Sequence, residues 1–296
     1  MLVLALDTSS LSLSAALCEL ARGADGRWSQ RVLAEVVRSP PERHGDVLPA
    51  ALLDLCAAAG KSLSDVTGLA VGIGPGSFTG LRVGLASAKA IAYARKLPLA
   101  AASSLRALTR GAERVASAAD ARAFAGRLLV PTLEARKAEL YAEAYALPDR
   151  AGRGGEDAAD PRGASQEAVA DLQVLRAEAA YRSPQLVAAL RDLPGTPLLF
   201  GPGQAACAAE LRAAGAPEEW FLVPEGPAGC ASGQPTAASL PSLPLAADVA
   251  WLCADALEGA AFDEARVFAL APNYVKPSEA EVALSEGRVG GLPQPK

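Results

Sequence analysis

The hydrophobic pattern of the first third of the chain predicts three strands, a helix, a fourth strand and a second helix. These elements fall at residues 2–6, 11–20, 31–37, 46–59, 69–73 and 81–96. Short apolar runs indicate the strands, and the first helix has an apolar face with Gly60 just past its end. The order combines an antiparallel meander with a right-handed crossover, which indicates an α/β lobe.

A similar pattern begins again further along the chain. Its predicted strands and helices fall at residues 128–133, 138–146, 184–193, 197–201, 204–214 and 246–259. Polar stretches rich in glycine, proline or serine predict loops at 148–166 and 224–245. The repetition predicts two related lobes, each with a mixed sheet flanked by helices. We place the first lobe at 1–103, a degenerate second lobe with inserted loops at 104–272, and an extended tail at 273–296.

Composition narrows the classes of function. The chain has 296 residues, a formal net charge of −5 and 5% aromatic residues, so we expect weak affinity for tRNA on its own. The five cysteines are widely spaced, no leader precedes the first predicted strand, and charges or prolines interrupt every long apolar run. These features predict a cytoplasmic protein that does not enter membranes. His44 is the only histidine, which excludes a metal site with two histidines.

Glycines crowd the loop between the strand at 69–73 and the small-residue helix that follows it. This loop lacks the Lys-Ser/Thr ending of a P-loop, and its spacing is not that of a dinucleotide fingerprint. With the end of the first strand it forms a candidate vestigial site for a nucleotide or another anion, made of Asp7, Thr8, Gly74, Gly76 and Ser77. The alternative is that Asp7 and its neighbouring hydroxyls only satisfy loop amides. No catalytic residue and no metal site is predicted.

The two helices of the first lobe are candidates for a protein interface. Small and apolar residues on a helix allow another helix to approach closely. The candidate interface residues are His44, Val47, Leu48, Leu52, Arg82, Val83 and Ala86. We expect glutamate at Leu48 or Ala86 to abolish partner binding while the chain stays folded. The alternative is that these faces only cover their own sheet. A catalytic role for His44 with Ser77 also stays open, although no carboxylate is placed behind the imidazole.

Five motifs together resemble one family. They are Leu-Ala-Leu-Asp-Thr-Ser-Ser at 4–10, Glu-Arg-His-Gly-Asp-Val-Leu-Pro at 42–49, Gly-Pro-Gly-Ser-Phe-Thr-Gly-Leu-Arg-Val-Gly at 74–84, Leu-Glu-Ala-Arg-Lys-Ala-Glu-Leu-Tyr at 133–141 and Pro-Asn-Tyr-Val-Lys-Pro at 272–277. On these residues the chain resembles the bacterial TsaB (YeaZ) family. The resemblance is close over 1–145 and weak between 150 and 265.

The resemblance implies an actin-like/Hsp70-like (ASKHA) ATPase fold and a role in forming N6-threonylcarbamoyladenosine at position 37 of tRNAs that read ANN codons. In that system a TsaB protein is the non-catalytic partner of the paralogue TsaD, and TsaE is an ATPase. The His-x-x-x-His metal motif of TsaD aligns with Ser104 and Leu108, which cannot replace two imidazoles.

The resemblance further implies that this chain holds no cofactor tightly, and that ATP/ADP and a metal ion belong to the partner subunits. It implies contact with tRNA through the complex, and a homodimer is open for the chain alone. The alternative function is a stand-alone hydrolase, either a peptidase or an ATPase, on the same fold.

Overall fold

The computed structural model describes residues 1–38, 44–118, 124, 126–135, 138–146, 172–221 and 240–275, which form two mixed sheets flanked by helices. The first sheet contains β1 (Leu2–Asp7), β2 (Leu13–Arg22), β3 (Trp28–Arg38), β4 (Gly68–Gly72) and β5 (Leu99–Ala102). Its strand order is β3-β2-β1-β4-β5. β1 pairs antiparallel with β2 and parallel with β4. This is the meander and crossover that the sequence predicts.

The second sheet repeats the arrangement. It contains β6 (Arg127–Glu134), β7 (Glu139–Ala146), β8 (Gln173–Arg182) and β9 (Thr196–Phe200) in the order β8-β7-β6-β9. Again the first strand of the set pairs antiparallel with the second and parallel with the fourth. The predicted fold class, with two related lobes that each contain a mixed sheet, is confirmed.

Nine α-helices cover the sheets in the described part of the chain. They are α1 (His44–Ala58), α2 (Phe78–Arg95), α3 (Ser104–Ala118), α4 (Ser183–Arg191), α5 (Pro202–Ala206), α6 (Ala208–Ala213), α7 (Ala246–Leu252), α8 (Ala254–Leu257) and α9 (Glu264–Ala269). Short 3-10 turns lie at Leu63–Asp65 and Glu218–Trp220. Within the described ranges, no helix combines the length and the apolar character needed to cross a lipid bilayer.

The first sheet is covered on both faces, because successive side chains of β1 point in opposite directions. Leu4 and Leu6 pack in the core formed with α1 and α2. Val3 and Ala5 pack in a second core formed with α7 and α8. The second sheet packs in the same way between α3 on one face and α4 with α6 on the other. Burial on both faces explains why β1 is a continuous apolar run.

An ion pair between a buried carboxylate and an exposed arginine connects α3 to α7. Asp248 is 1% exposed and accepts a hydrogen bond of 3.0 Å from a terminal nitrogen of Arg114. Beside it, the Arg110 guanidinium lies 4.7 Å from the centre of the Trp251 ring. Burial raises the pKa of Asp248, and the two arginines oppose that change. This polar contact joins a helix of the second sheet to a helix that covers the first.

The structure also departs from the predicted elements. β5, α3 and β8 were not predicted, and the predicted helices at 204–214 and 246–259 are each two short helices. Residues 246–257 pack on the first sheet, and α9 packs on α2, whereas the predicted division assigns both segments to the second lobe. Their hydrophobic partners are remote in sequence, which local patterns do not reveal. The predicted loop at 148–166, most of the loop at 224–245 and the tail beyond residue 275 lie outside the described residues.

Candidate functional site

Asp7 ends β1 and is 1% exposed. Its Oδ1 accepts hydrogen bonds from the backbone N–H of Ser9 at 2.8 Å and from the Ser9 hydroxyl at 2.6 Å. Its Oδ2 accepts a hydrogen bond of 2.6 Å from the hydroxyl of Ser104, the first residue of α3. The bonds to Ser9 are those of an Asx turn, and the bond to Ser104 fixes that turn to the second lobe's first helix.

The glycine loop closes over this turn. The Ser77 N–H donates to the Ser9 carbonyl at 2.6 Å, and the Thr8 hydroxyl donates to the Gly80 carbonyl at 2.7 Å. At Gly76 the φ angle is +153°, and a Cβ would overlap the Ser9 carbonyl. Glycine is therefore required here because the two backbones touch.

The five residues of the candidate anion site all lie in this turn and loop, and their described hydrogen bonds go to Ser9, Gly80, Leu81 and Ser104. Ser77 also caps α2, since its hydroxyl accepts a bond of 3.2 Å from the Gly80 N–H. Gly74 is bound in both directions to Ser104: its N–H donates to the hydroxyl at 3.2 Å, and its carbonyl accepts from the Ser104 N–H at 2.8 Å. These hydrogen bonds hold the first turns of α2 and α3 against the turn that follows β1.

Ser104 and Leu108, the positions at which the resemblance places the two histidines of the paralogue's metal motif, lie one turn apart on α3. Positions i and i+4 of a helix share a face, so two histidines there would point the same way. Here Ser104 is fully buried and bonded to Asp7 and Gly74, while Leu108 is fully buried in the core between α3 and the second sheet. In the described ranges, no three histidine, cysteine, aspartate or glutamate residues are grouped closely enough to hold a metal ion.

The candidate interface residues divide by exposure. Leu48 and Leu52 are 0% and 3% exposed and lie in the core between α1, α2 and the first sheet. Glutamate at Leu48 would therefore disrupt the fold of the first lobe, and the expectation that the chain stays folded is corrected. Arg82 and Ala86 are exposed on α2.

Two further candidates, Val47 and Val83, are partly buried against the same core. His44 begins α1, and only its backbone is described. Of the candidate interface residues whose side chains are described, Arg82 and Ala86 are thus the exposed ones.

A polar cluster that the sequence did not predict lies between the lobes. Glu178 on β8 accepts a hydrogen bond of 3.1 Å from the Ser103 hydroxyl, and its other oxygen accepts one from the Asn273 side-chain amide. Burial raises the pKa of Glu178, and these two hydrogen bonds oppose the change. Glu143 on β7 is 8% exposed, and burial raises its pKa against the opposing charge of Arg106. Asn273, in the Pro-Asn-Tyr motif, is the residue of this cluster that the sequence analysis had singled out.

We expect Glu143→Gln to stabilise the chain increasingly as the pH rises. A carboxyl whose folded pKa is raised binds protons more readily in the folded state, so its ionisation lowers the free energy of unfolding as the pH rises above about 4.5. Glutamine removes this ionisation. Thermal unfolding near pH 4 and near pH 8 should show an advantage of the variant that grows with pH. Glu210→Gln, at an exposed site on α6, is the control, and an equal offset at both pH values would contradict the prediction.

Comparisons with known proteins bear on this geometry. A family model described as "TsaD: tRNA N6-adenosine threonylcarbamoyltransferase" matches residues 31–189, more than half of the chain. The curated "tRNA threonylcarbamoyladenosine biosynthesis protein TsaB" of Escherichia coli is 31% identical over 145 residues, covering 49% of this chain and 55% of that protein. The Bacillus subtilis protein of the same name is 34% identical over 148 residues, with the same coverages. The chain spans about half the length of the curated relatives it matches.

The similarity of fold extends further than the similarity of sequence. The solved structure of YeaZ from Pseudomonas aeruginosa aligns with a TM-score of 0.56 at 23% identity, and covers 92% of this chain and 99% of that one. At this identity the alignment shows the fold. The resemblance to TsaB (YeaZ) that the five motifs indicate is confirmed, and the chain belongs to the tRNA N6-adenosine threonylcarbamoyltransferase (TsaD) family.

Proposed function

We propose that this chain is a non-catalytic subunit that binds a TsaD-type partner during the formation of N6-threonylcarbamoyladenosine in tRNA. The observation that carries the proposal is the pair Ser104 and Leu108. One is committed to hydrogen bonds with Asp7 and Gly74, and the other is buried in a hydrophobic core. Neither side chain can serve as an imidazole ligand to a transition metal. The helix face that supports chemistry in the paralogue supports packing here.

The partner surface that we propose is the outward face of α1 and α2. These two helices contact each other and cover one face of the first sheet. Most of their exposed residues are small or apolar, and we call six of them the docking face: Ala50, Leu53 and Ala57 on α1 with Arg82, Ala86 and Ala90 on α2. Leu53 is 58% exposed. Alanines at helical spacing allow a partner helix to approach closely, and Leu53 supplies apolar area to bury.

In this proposal the partner proteins supply the catalytic metal site and the ATP hydrolysis. TsaD supplies the catalytic metal site, TsaE supplies ATP hydrolysis, and tRNA contacts the chain through the assembled complex. The net charge of −5 supports this division, because a chain that binds tRNA alone releases counterions through many lysines and arginines. For the chain without TsaD, we propose a homodimer that forms through the docking face.

Mixing the purified chain with TsaD and measuring the mass of the product tests the proposal. We expect one stable heteromeric species at micromolar concentration. Elution of the two proteins as separate species would contradict it. Nucleotide or peptide hydrolysis by the chain alone, above the rate of a heat-treated sample, would favour the stand-alone hydrolase instead.

A further inference from the structure

The Pro-Asn-Tyr motif of the sequence lies against the docking face. The Asn273 N–H donates to the Ile73 carbonyl at 2.7 Å, and the Asn273 side-chain amide donates to Glu178. Ile73 directly follows β4 of the first sheet, whereas Glu178 lies on β8 of the second. The motif is therefore held from both lobes, and the position of the next residue, Tyr274, is fixed.

Tyr274 in turn holds Arg82. The Nε of Arg82 donates to the Tyr274 hydroxyl at 2.9 Å. The Arg82 guanidinium carbon lies 3.8 Å from the centre of the Phe78 ring, and the Phe78 and Tyr274 rings are 5.2 Å apart. Within the described part of the chain, the terminal guanidinium nitrogens of Arg82 have no hydrogen-bond partner. The side chain is thus exposed and yet oriented, with one nitrogen bonded and the planar fork of the other two open to solvent.

We infer that Arg82 is an anchor for a carboxylate on the protein partner, and that Tyr274 is the residue that positions it. This inference rests on the proposed function. The planar fork of two N–H donors matches the two oxygens of a carboxylate, and stacking on Phe78 reduces the conformational entropy lost on binding. Arginine and aromatic residues are also the types that dominate binding energy at protein interfaces.

The surroundings of Arg82 favour a single acidic side chain over a phosphate backbone. The other five residues of the docking face are alanines and a leucine, and Lys89, two turns from Arg82 on α2, is half-buried and donates to the Phe268 carbonyl at 3.0 Å. Nucleic acid binding depends on several cations along a groove, whereas a single arginine within a small, apolar face suits one carboxylate that is desolvated when two proteins meet. Arg95, the exposed arginine of the last turn of α2, lies about 20 Å away along the helix axis.

Affinity for TsaD, measured by calorimetry with proteins freed of nucleic acid and nucleotide, tests the inference. We expect Arg82→Met to weaken binding about 30-fold and Arg82→Lys about 10-fold, because lysine keeps the charge and loses the fork. Tyr274→Phe keeps the ring and removes the acceptor of Nε, and should weaken binding about fivefold. Arg95→Met is the matched control and should bind as the parent does.

A double-mutant cycle separates positioning from a merely structural role of Tyr274. In the Arg82→Met background, Tyr274→Phe should have no further effect on affinity, whereas a structural role would persist there. Reversing the charge of an acidic residue on TsaD should restore binding to Arg82→Glu.

The outcomes distinguish this inference from the proposed function. If Arg82→Met binds TsaD as tightly as the parent while glutamate at Ala86 abolishes binding, the anchor is wrong and the docking face stands. If Arg82→Met weakens only tRNA binding by the assembled complex, the ligand is a phosphate and the inference is overturned. If the parent chain does not bind TsaD, the proposed function fails and the anchor fails with it.

Discussion

Gly72→Ala is expected to lower the free energy of unfolding by about 3 kcal/mol. Gly72 ends β4, where a Cβ would overlap Asp7 Oδ2 and lie 3.1 Å from the Ser104 hydroxyl. The methyl group would displace a buried carboxylate from the hydrogen bonds that join the turn after β1 to α3. Urea denaturation followed by circular dichroism measures the loss.

Gly45→Ala is the matched control for this prediction. Gly45 lies in α1, and a Cβ there would have no atom within 4 Å. Alanine should leave stability unchanged or raise it by up to about 1 kcal/mol, since glycine is the less favourable residue inside a helix. If both variants unfold at the same urea concentration as the parent, the hydrogen bonds around Asp7 do not contribute to stability in the way we describe.

Ala86→Glu is expected to weaken binding to TsaD by at least about 100-fold while the chain remains folded. Ala86 is exposed on the docking face, so the glutamate is harmless to the free chain and helix formation is retained. In the complex its carboxylate would be desolvated in the interface, and it lies one helical turn from Arg82, whose guanidinium it would occupy in place of the partner's carboxylate. Leu53→Glu on α1 should have the same effect, and thermal unfolding together with calorimetry separates folding from binding.

Ala188→Glu provides the comparison at an exposed position of α4 in the second lobe. It introduces the same charge into a helix and should bind TsaD as the parent does. Equal weakening by all three glutamates would indicate a general effect of charge, and unchanged binding by Ala86→Glu and Leu53→Glu would place the interface elsewhere on the molecule.

Local sequence patterns predict much of the fold. β1 is a continuous apolar run because it is covered on both faces, and the glycine loop marks where two backbones touch. β5 was missed because it is largely alanine, which is not typical of strands. β8 was missed because apolar and polar residues do not alternate regularly along its sequence.

The candidate site was less accessible to sequence reasoning, since it depends on contacts between remote segments. The apolar stripe of α1 was recognised, yet Leu48 and Leu52 were assigned to a partner although the stripe of a helix usually covers its own sheet. Ser104 bonds to Asp7, Asn273 bonds to Glu178, and Tyr274 bonds to Arg82. Each of these hydrogen bonds joins positions that are far apart in the chain. No local pattern reports such pairs.

Formation of N6-threonylcarbamoyladenosine in a reconstituted reaction tests the central claim most directly. Unmodified tRNA, threonylcarbamoyl adenylate, TsaD, TsaE and the chain are combined, each protein is omitted in turn, and the nucleosides are quantified by mass spectrometry. We predict that the modified nucleoside forms when TsaD and the chain are both present, and that the chain without TsaD forms none. Modification by the chain in the absence of TsaD, or an undiminished yield when the chain is omitted, would contradict the proposed role as a non-catalytic binding subunit.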